Sequence, residues 1–293
     1  MTEGRIIKSL SGFYTVKTDS AHIVCKGRGV FRKRKVTPLV GDKVTITLNE
    51  DQTTGTITEI AERTNSFVRP PIANMTQAIV VVSAKEPDFS SLLLDRFLVN
   101  IAANNIEPII LITKADLLSE AEVDEIKAYQ ADYKRLGYQT YLTSLAGEDL
   151  SFIKNHLKNE LTVLTGQSGV GKSTLLNQLM PNLQLETGEI SMTLGRGRHT
   201  TRHVELIEVA GGYVADTPGF SSLDFTELEA VDLSSCFKEM NTLRQACKFR
   251  GCLHDKEPQC AIKAAVEAGD IPTYRYDHYK RFLHEIMTRK PRY

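Results

Sequence analysis

Residues 161–177 read LTVLTGQSGVGKSTLLN. Five residues with the composition of a buried strand run into a glycine-rich turn, and the turn opens a helix. The turn, GQSGVGKS at 166–173, matches G-x-x-x-x-G-K-[ST] in full, in the strand–turn–helix context that the pattern requires. This stretch constrains the fold more than any other, because such a turn belongs at the end of a strand in an α/β sheet. Its chemistry is phosphate binding. Gly166, Gly169 and Gly171 permit backbone conformations that aim the N–H groups of Gly166, Gln167, Ser168, Gly169, Val170 and Gly171 inward at anionic oxygens. The positive end of the following helix adds to the attraction. Lys172 supplies a point charge for β- and γ-phosphates, the Ser173 hydroxyl suits Mg²⁺, and Thr174 reaches the α-phosphate.

Downstream, VADTPG at 214–219 has the form of the metal-side motif of P-loop folds. An apolar strand delivers Asp216 to the metal, and Gly219 offers its N–H to a γ-phosphate. Between the two motifs lies GRGRHTTRHVEL, where Thr200 or Thr201 suits the metal in a triphosphate state. Many GTPases place a water-orienting Gln directly after the second of these motifs; here the position is Phe220, which can do no such work. The nearest catalytic candidate is His199, with an ordinary solvated loop histidine as the alternative. Slow basal hydrolysis follows, raised by a partner that orders 191–203.

A base reader comes first in the chain. TKAD at 113–116 ends an apolar run, PIILIT. Asp116 can accept from both N1–H and N2–H of guanine, a pair that adenine lacks. Lys114 packs along the base plane, Thr113 and Ala115 are counted with them as nucleotide-binding, and Thr113 stands where many GTPases carry Asn. TSLAGEDL at 143–150 offers a further base contact through Ser144 and the Ala146 N–H. The order is base reader, phosphate loop, metal threonine, γ-sensor, which is the usual order rotated. A rotated chain closes the same sheet when the old termini lie close together. One mechanical consequence is that movement at 216–225 would feed straight into the C-terminal segment.

Around this core the chain divides into three segments: 1–70, 71–235 and 236–293. In 71–235, AIVVVSA and PIILIT are near-continuous apolar runs suited to strands buried on both faces, separated by a helical stretch. Ser119 and Glu122 form a capping box for a helix that Gly137 stops, and Ala210-Gly211-Gly212 turns a hairpin. Segment 1–70 alternates in short runs, as a small OB-type barrel does. Its stretch KGRGVFRKRKV puts Arg28, Arg32, Lys33, Arg34 and Lys35 around Phe31, the composition of a phosphate-tracking loop with a base-stacking ring. A solvated basic loop is the bland alternative. The overall charge of zero conceals a pattern: each end segment carries 12 Lys/Arg against 7 Asp/Glu, so the middle carries 12 against 22. Basic ends flanking an acidic middle suggest a polyanionic partner such as nucleic acid.

Segment 236–293 is helical and holds CKFRGCLHDKEPQC. Cys247, Cys252, His254 and Cys260 make one Cys₃His set with no open position, which points to a structural ion, Zn²⁺ first and iron second. Five cysteines in 293 residues make no disulfide framework, no apolar run suits a membrane span, and the N-terminus has no signal-peptide pattern. A cytosolic chain with reduced thiols is the expectation.

Taken together, the basic N-terminal barrel, TKAD ahead of GQSGVGKST, GRGRHTTRH, DTPGF and the Cys-Cys-His-Cys knot resemble the RsgA (YjeQ/YloQ) family of circularly permuted bacterial GTPases, over the whole chain. The resemblance implies an α/β fold: a permuted P-loop GTPase domain with an N-terminal OB-fold barrel and a C-terminal helical zinc-binding domain. It implies GTP hydrolysis to GDP, dependent on Mg²⁺ and stimulated by the small ribosomal subunit, with ribosomal RNA contacts from both ends and a role in late maturation of that subunit. It favours His199 as the catalytic residue. No membrane partner and a monomeric chain are expected. The competing readings are an RNA-binding scaffold that merely uses the nucleotide as a regulator, and an ATP-dependent small-molecule kinase, which leaves Asp116 and the basic ends without a role.

Overall fold

A computed structural model of the chain describes residues 2–33, 36–67, 71–145, 147–180, 204–215 and 223–289. The strands are β1 (Thr2–Leu10), β2 (Phe13–Lys17), β3 (His22–Gly27), β4 (Lys43–Leu48), β5 (Thr54–Ile60), β6 (Gln77–Ser83), β7 (Glu107–Thr113), β8 (Gln139–Leu142), β9 (Leu161–Thr165), β10 (Val204–Val209) and β11 (Gly212–Ala215). The helices are α1 (Gly29–Lys33), α2 (Ser91–Ala102), α3 (Glu120–Arg135), α4 (Ser151–Leu157), α5 (Lys172–Leu179), α6 (Lys238–Leu243), α7 (Ala261–Glu267) and α8 (Thr273–Thr288). Among the described residues no helix is long and apolar enough to cross a membrane. The chain forms two units, Met1–Ala78 with Asp149–Ser168 and Lys172–Ser221, and Ile79–Glu148 with Gly169–Gly171 and Ser222–Tyr293.

In the first unit the alternating runs close a five-stranded barrel. β1 pairs with β2, β2 with β3, β3 with β5 in parallel, β5 with β4, and β4 with β1 again. Inward residues such as Ile6, Val16, Ile23, Cys25, Val44, Ile46 and Ile57 are buried, which is the period-2 pattern read as a closed sheet. β1 also pairs with β10, Lys8 opposite Glu205 and Ser9 opposite Val204, so the barrel is fused to the β10–β11 hairpin. Lys8 and Glu205 form an ion pair at 2.8 Å, and Lys17 pairs with Glu208. The expected hairpin forms, but its turn is two residues, Ala210 and Gly211, both with positive φ, and Gly212 already pairs with Val209 as the first residue of β11. β11 lies parallel to β9, and β9 carries the chain into the phosphate loop.

The second unit holds β7 and β8, paired in parallel, with all but the first residue of β7 buried. β6 is buried along its whole length, and its continuation at Ala84 donates to Thr113 O at 2.9 Å. The capping box forms: the Ser119 N–H and hydroxyl both donate to Glu122 Oε2, at 2.7 and 2.8 Å, and α3 stops just before Gly137. The C-terminal helices join α2 in one apolar cluster built on Val99, Phe225, Phe237, Met240, Tyr279 and Phe282. A charged group sits beside that cluster. Arg275 of α8, 1% exposed, bonds Asp95 of α2 and reaches Glu239 of α6 at 2.8 and 3.1 Å. Asp95 also accepts from the Tyr133 hydroxyl and from His278 Nδ1–H, both at 2.6 Å. Burial alone would lower the Arg275 pKa; attraction to Asp95 and Glu239 outweighs it and holds the guanidinium well above its ordinary value.

Candidate functional site

The phosphate loop leaves β9 at Gly166 and enters α5 at Lys172. Gly166, Gly169 and Gly171 all have positive φ, as the glycine pattern predicts. Lys172 Nζ folds back over the turn and donates to Gly166 O at 2.9 Å and to Gln167 O. Burial lowers its pKa, so the ammonium occupies a place where an anionic partner would be strongly favoured. Ser173 and Thr174 follow on the first turn of α5.

Within the second unit the loop residues Val170 and Gly171 are in direct contact with the base-reading segment. The Thr113 hydroxyl donates to Val170 O at 2.6 Å. A Cβ built on Gly171 would stand 3.1 Å from Leu145 Cδ1, which with φ +99° reserves the position for glycine. Thr113 closes β7 in full burial. Lys114 then takes a left-handed conformation and its Nζ bonds Glu86 O. Ala115 opens a 3₁₀ turn and donates its N–H to Thr143 O at 3.3 Å, leaving Asp116 exposed. TKAD, residues 143–145 and the loop residues Val170 and Gly171 are therefore neighbours, although Thr113 and Val170 are 57 residues apart in sequence.

Sequence reading missed Glu148. Its carboxylate accepts from the Thr143 hydroxyl at 2.5 Å, from the Ser144 N–H at 2.8 Å and from the Ser144 hydroxyl. Those donors, Ser144 first, hold the Glu148 pKa below the ordinary range. Thr143 Oγ1 in turn accepts from Leu145 N–H at 2.9 Å. The signal was present, since an acid four residues after a serine in a loop is a local side-chain-to-backbone clasp.

One expectation is corrected. Phe31 does not offer its ring to a base: it is 8% exposed and faces the barrel wall, 3.7 Å from where a Gly27 Cβ would lie. Its N–H donates to Arg28 O at 3.0 Å, so a helical turn rolls the ring inward. Burying a phenylalanine side chain is worth about 2–3 kcal/mol, more than a loop ring gains in water. Arg28 is exposed, and Arg32 and Lys33 lie on α1. Arg34, Lys35, Ala146, His199, Thr200, Thr201, Asp216 and Gly219 lie outside the described residues.

The cysteine cluster assembles. The ligand atoms of Cys247, Cys252, His254 and Cys260 all lie within 4.8 Å of one another. Cys247 Sγ is 3.8 Å from Cys260 Sγ and 3.5 Å from His254 Nδ1, and His254 Nδ1 is 3.3 Å from Cys260 Sγ. Tetrahedral zinc with bonds of about 2.3 Å to sulfur and 2.0–2.1 Å to nitrogen demands edges of about 3.8 and 3.5 Å, close to the three distances among Cys247, His254 and Cys260, so the donor set is compatible with zinc. Burial pushes the Cys252 thiol up to about 12, raises Cys260 and lowers His254; thiolates become stable there only beside a cation. The frame is rigid. Tyr279 and Tyr276 donate to the carbonyls of Leu253 and His254 at 2.8 and 2.6 Å, and Glu257 accepts from the N–H groups of Leu253 and Asp255.

The family model for the RsgA GTPase matches residues 60–226, and the model for the RsgA N-terminal domain matches residues 3–57. The chain belongs to the RsgA GTPase family. It is accordingly a GTP hydrolase of the P-loop type with a permuted order of motifs. Curated RsgA proteins match end to end. "Small ribosomal subunit biogenesis GTPase RsgA 2" of Oceanobacillus iheyensis is 57% identical and "Small ribosomal subunit biogenesis GTPase RsgA" of Bacillus subtilis 56%, each match covering 100% of both chains. Among solved structures, that described as YloQ, a circularly permuted GTPase, has a TM-score of 0.87 at 51% identity and covers 100% of this chain and 97% of its own. YjeQ from Thermotoga maritima has a TM-score of 0.88 at 33% identity, covering 99% of each. The expected fold class therefore holds: an α/β P-loop domain, a five-stranded N-terminal barrel and a C-terminal Cys₃His cluster compatible with zinc.

Proposed function

We propose that this chain is a GTP-driven switch in biogenesis of the small ribosomal subunit, binding the subunit as the GTP form, hydrolysing GTP there and leaving as the GDP form. The observation that carries this reading is the end-to-end 56% identity with the Bacillus subtilis protein named a small ribosomal subunit biogenesis GTPase. Asp116 selects guanine, with Lys114 along the base and Ser144 and Ala146 beside it. Amides of 166–171 and Lys172 bind the phosphates; Thr174 takes the α-phosphate and Gly219 senses the γ-phosphate. Mg²⁺ is held by Ser173 with Asp216 and one of Thr200 and Thr201, and when bound it offsets charge on the β- and γ-phosphates. His199 orients the attacking water once the subunit is bound. Zinc at Cys247, Cys252, His254 and Cys260 is structural. Ribosomal RNA is met by the basic ends, at the barrel through Arg28, Arg32, Lys33, Arg34 and Lys35. The three functional segments are 1–70, 71–235 and 236–293, and the protein acts in the cytoplasm as a monomer.

The test is turnover of GTP and ATP with and without purified small subunits. Strong stimulation of GTP turnover alone is expected. Subunit binding without stimulation would replace the switch with a scaffold, and equal use of ATP would overturn the assignment of Asp116.

A further inference from the structure

With Asp116 taking N1–H and N2–H of guanine, the group left on that edge of the base is O6, an acceptor. A side chain beside Asp116 that reads O6 must bring a donor, and the half-buried Ser144 is the candidate from sequence. The structure commits its proton elsewhere. The Ser144 hydroxyl and N–H both donate to Glu148 Oε1, the N–H at 2.8 Å, and the Thr143 hydroxyl donates to Glu148 Oε2 at 2.5 Å. Thr143 Oγ1 in turn accepts from the Leu145 N–H at 2.9 Å, and the Glu148 N–H returns to Leu145 O at 3.4 Å. Leu145 is buried with φ +66°, and a leucine keeps a left-handed backbone only where its neighbours fix it. Thr143 sets the turn against the base-reading segment: its N–H donates to Ile112 O at 2.9 Å, and its carbonyl accepts from Ala115 N–H, next to Asp116, at 3.3 Å.

We propose that Glu148 is a positioning residue for guanine recognition: its carboxylate gathers Thr143 and Ser144 into the turn that lies beside O6, so that Ser144 supports this turn and does not itself donate to the base. The reason lies in a count of acceptors. Three donors converge on residue 148, and a carboxylate meets them with two oxygens, both acceptors. A glutamine amide has one oxygen and one NH₂ group. Whichever way it turns, it sets N–H against N–H or O–H, leaves a donor without an acceptor and frees the turn to relax. Glu148 therefore acts through residues 143–145 and not by contact with the nucleotide. This rests on the reading of 113–116 and 143–146 as the guanine-binding segments.

The test uses the full chain and compares affinity for GDP with affinity for 6-thio-GDP, which keeps N1–H and N2–H but replaces O6 by sulfur, a weak acceptor. The parent should prefer GDP by about tenfold. Glu148→Gln should weaken GDP about tenfold and 6-thio-GDP by less than about threefold. Ser144→Ala should weaken GDP about threefold in the parent and cause no further loss in the Glu148→Gln background, because the hydroxyl acts only through the carboxylate. Unchanged GDP affinity in Glu148→Gln overturns the proposal. So does an equal loss for both nucleotides, which would mark a general loosening, and so does a parent that binds both alike, since no donor would then meet O6. Additive losses in the double variant also overturn it, because Ser144 would be reaching the base by itself. Asp116→Asn, run alongside, should shift preference to xanthosine diphosphate. If it does not, the site reading fails and takes the proposal with it; if it does while Glu148→Gln binds as the parent does, only the role of Glu148 fails.

Discussion

Arg275→Met should cost about 3–5 kcal/mol of folding stability. The guanidinium is 1% exposed and binds carboxylates from two other helices, Asp95 of α2 at 0% and Glu239 of α6 with a side chain 6% exposed. It also lies 4.7 Å from the centre of the Phe237 ring and 5.4 Å from that of Tyr133. Methionine fills most of the volume but leaves two carboxylates buried with no cation of comparable charge. Breaking a buried pair by removing one partner costs more than the pair contributes net, because the stranded charge keeps its desolvation penalty. With a urea slope of about 2–3 kcal/mol/M, the midpoint should fall by roughly 1–2 M. The chain has no tryptophan, so far-UV circular dichroism is the suitable probe, with hydrogen exchange along α8 to locate the loss. Asp95→Asn and the double variant complete a cycle, and the two changes should couple by about 1–3 kcal/mol, since they share one network. Arg281→Met, on an exposed position of the same helix, should change stability by no more than about 0.5 kcal/mol. A loss below about 1 kcal/mol for Arg275→Met, or strict additivity with Asp95→Asn, would refute the argument that this arginine neutralises a buried acidic pair.

Phe31→Ala should destabilise the barrel by about 3–5 kcal/mol in a urea titration, because the ring is a buried anchor; a loss within experimental scatter would return the ring to the surface. Removing the Cys₃His metal with a strong chelator should loosen residues 247–260 by hydrogen exchange and release protons on re-addition of Zn²⁺, and a chain that binds no metal would show neither. Glu122 should titrate near 2, held down first by Lys85 and then by the Ser119 donors. A depressed carboxylate contributes stability that is complete above its unfolded pKa of about 4.3 and fades as pH falls towards 2. Replacing Glu122 by Gln should therefore flatten the acid limb of the stability curve in that window, and carboxyl NMR that finds an ordinary pKa would contradict the ion pair.

Much of the site was legible because its instructions are local. A phosphate loop needs three glycines at fixed spacing and a strand before them, and Gly166, Gly169 and Gly171 took the positive φ values that such a turn requires. The capping box at Ser119 and Glu122, the two-residue hairpin turn at Ala210-Gly211 and the fourteen-residue metal knot are also matters of neighbours along the chain. The run KGRGVFRKRKV was legible as charge but not as geometry, because nothing in composition says which way a helical turn rolls Phe31.

The sequence by itself determined the kind of chemistry, the order of its parts and the presence of a basic barrel and a cysteine knot, since each is written in residues close enough to act on one another before any fold exists. Only the tertiary structure decided who stands next to whom across distance. Thr113 meets Val170 after 57 residues, and Asp95 meets Arg275 after 180. Such contacts depend on the packing of whole strands and helices, and burial then makes a single hydroxyl or guanidinium decisive, because there is no water left to replace it.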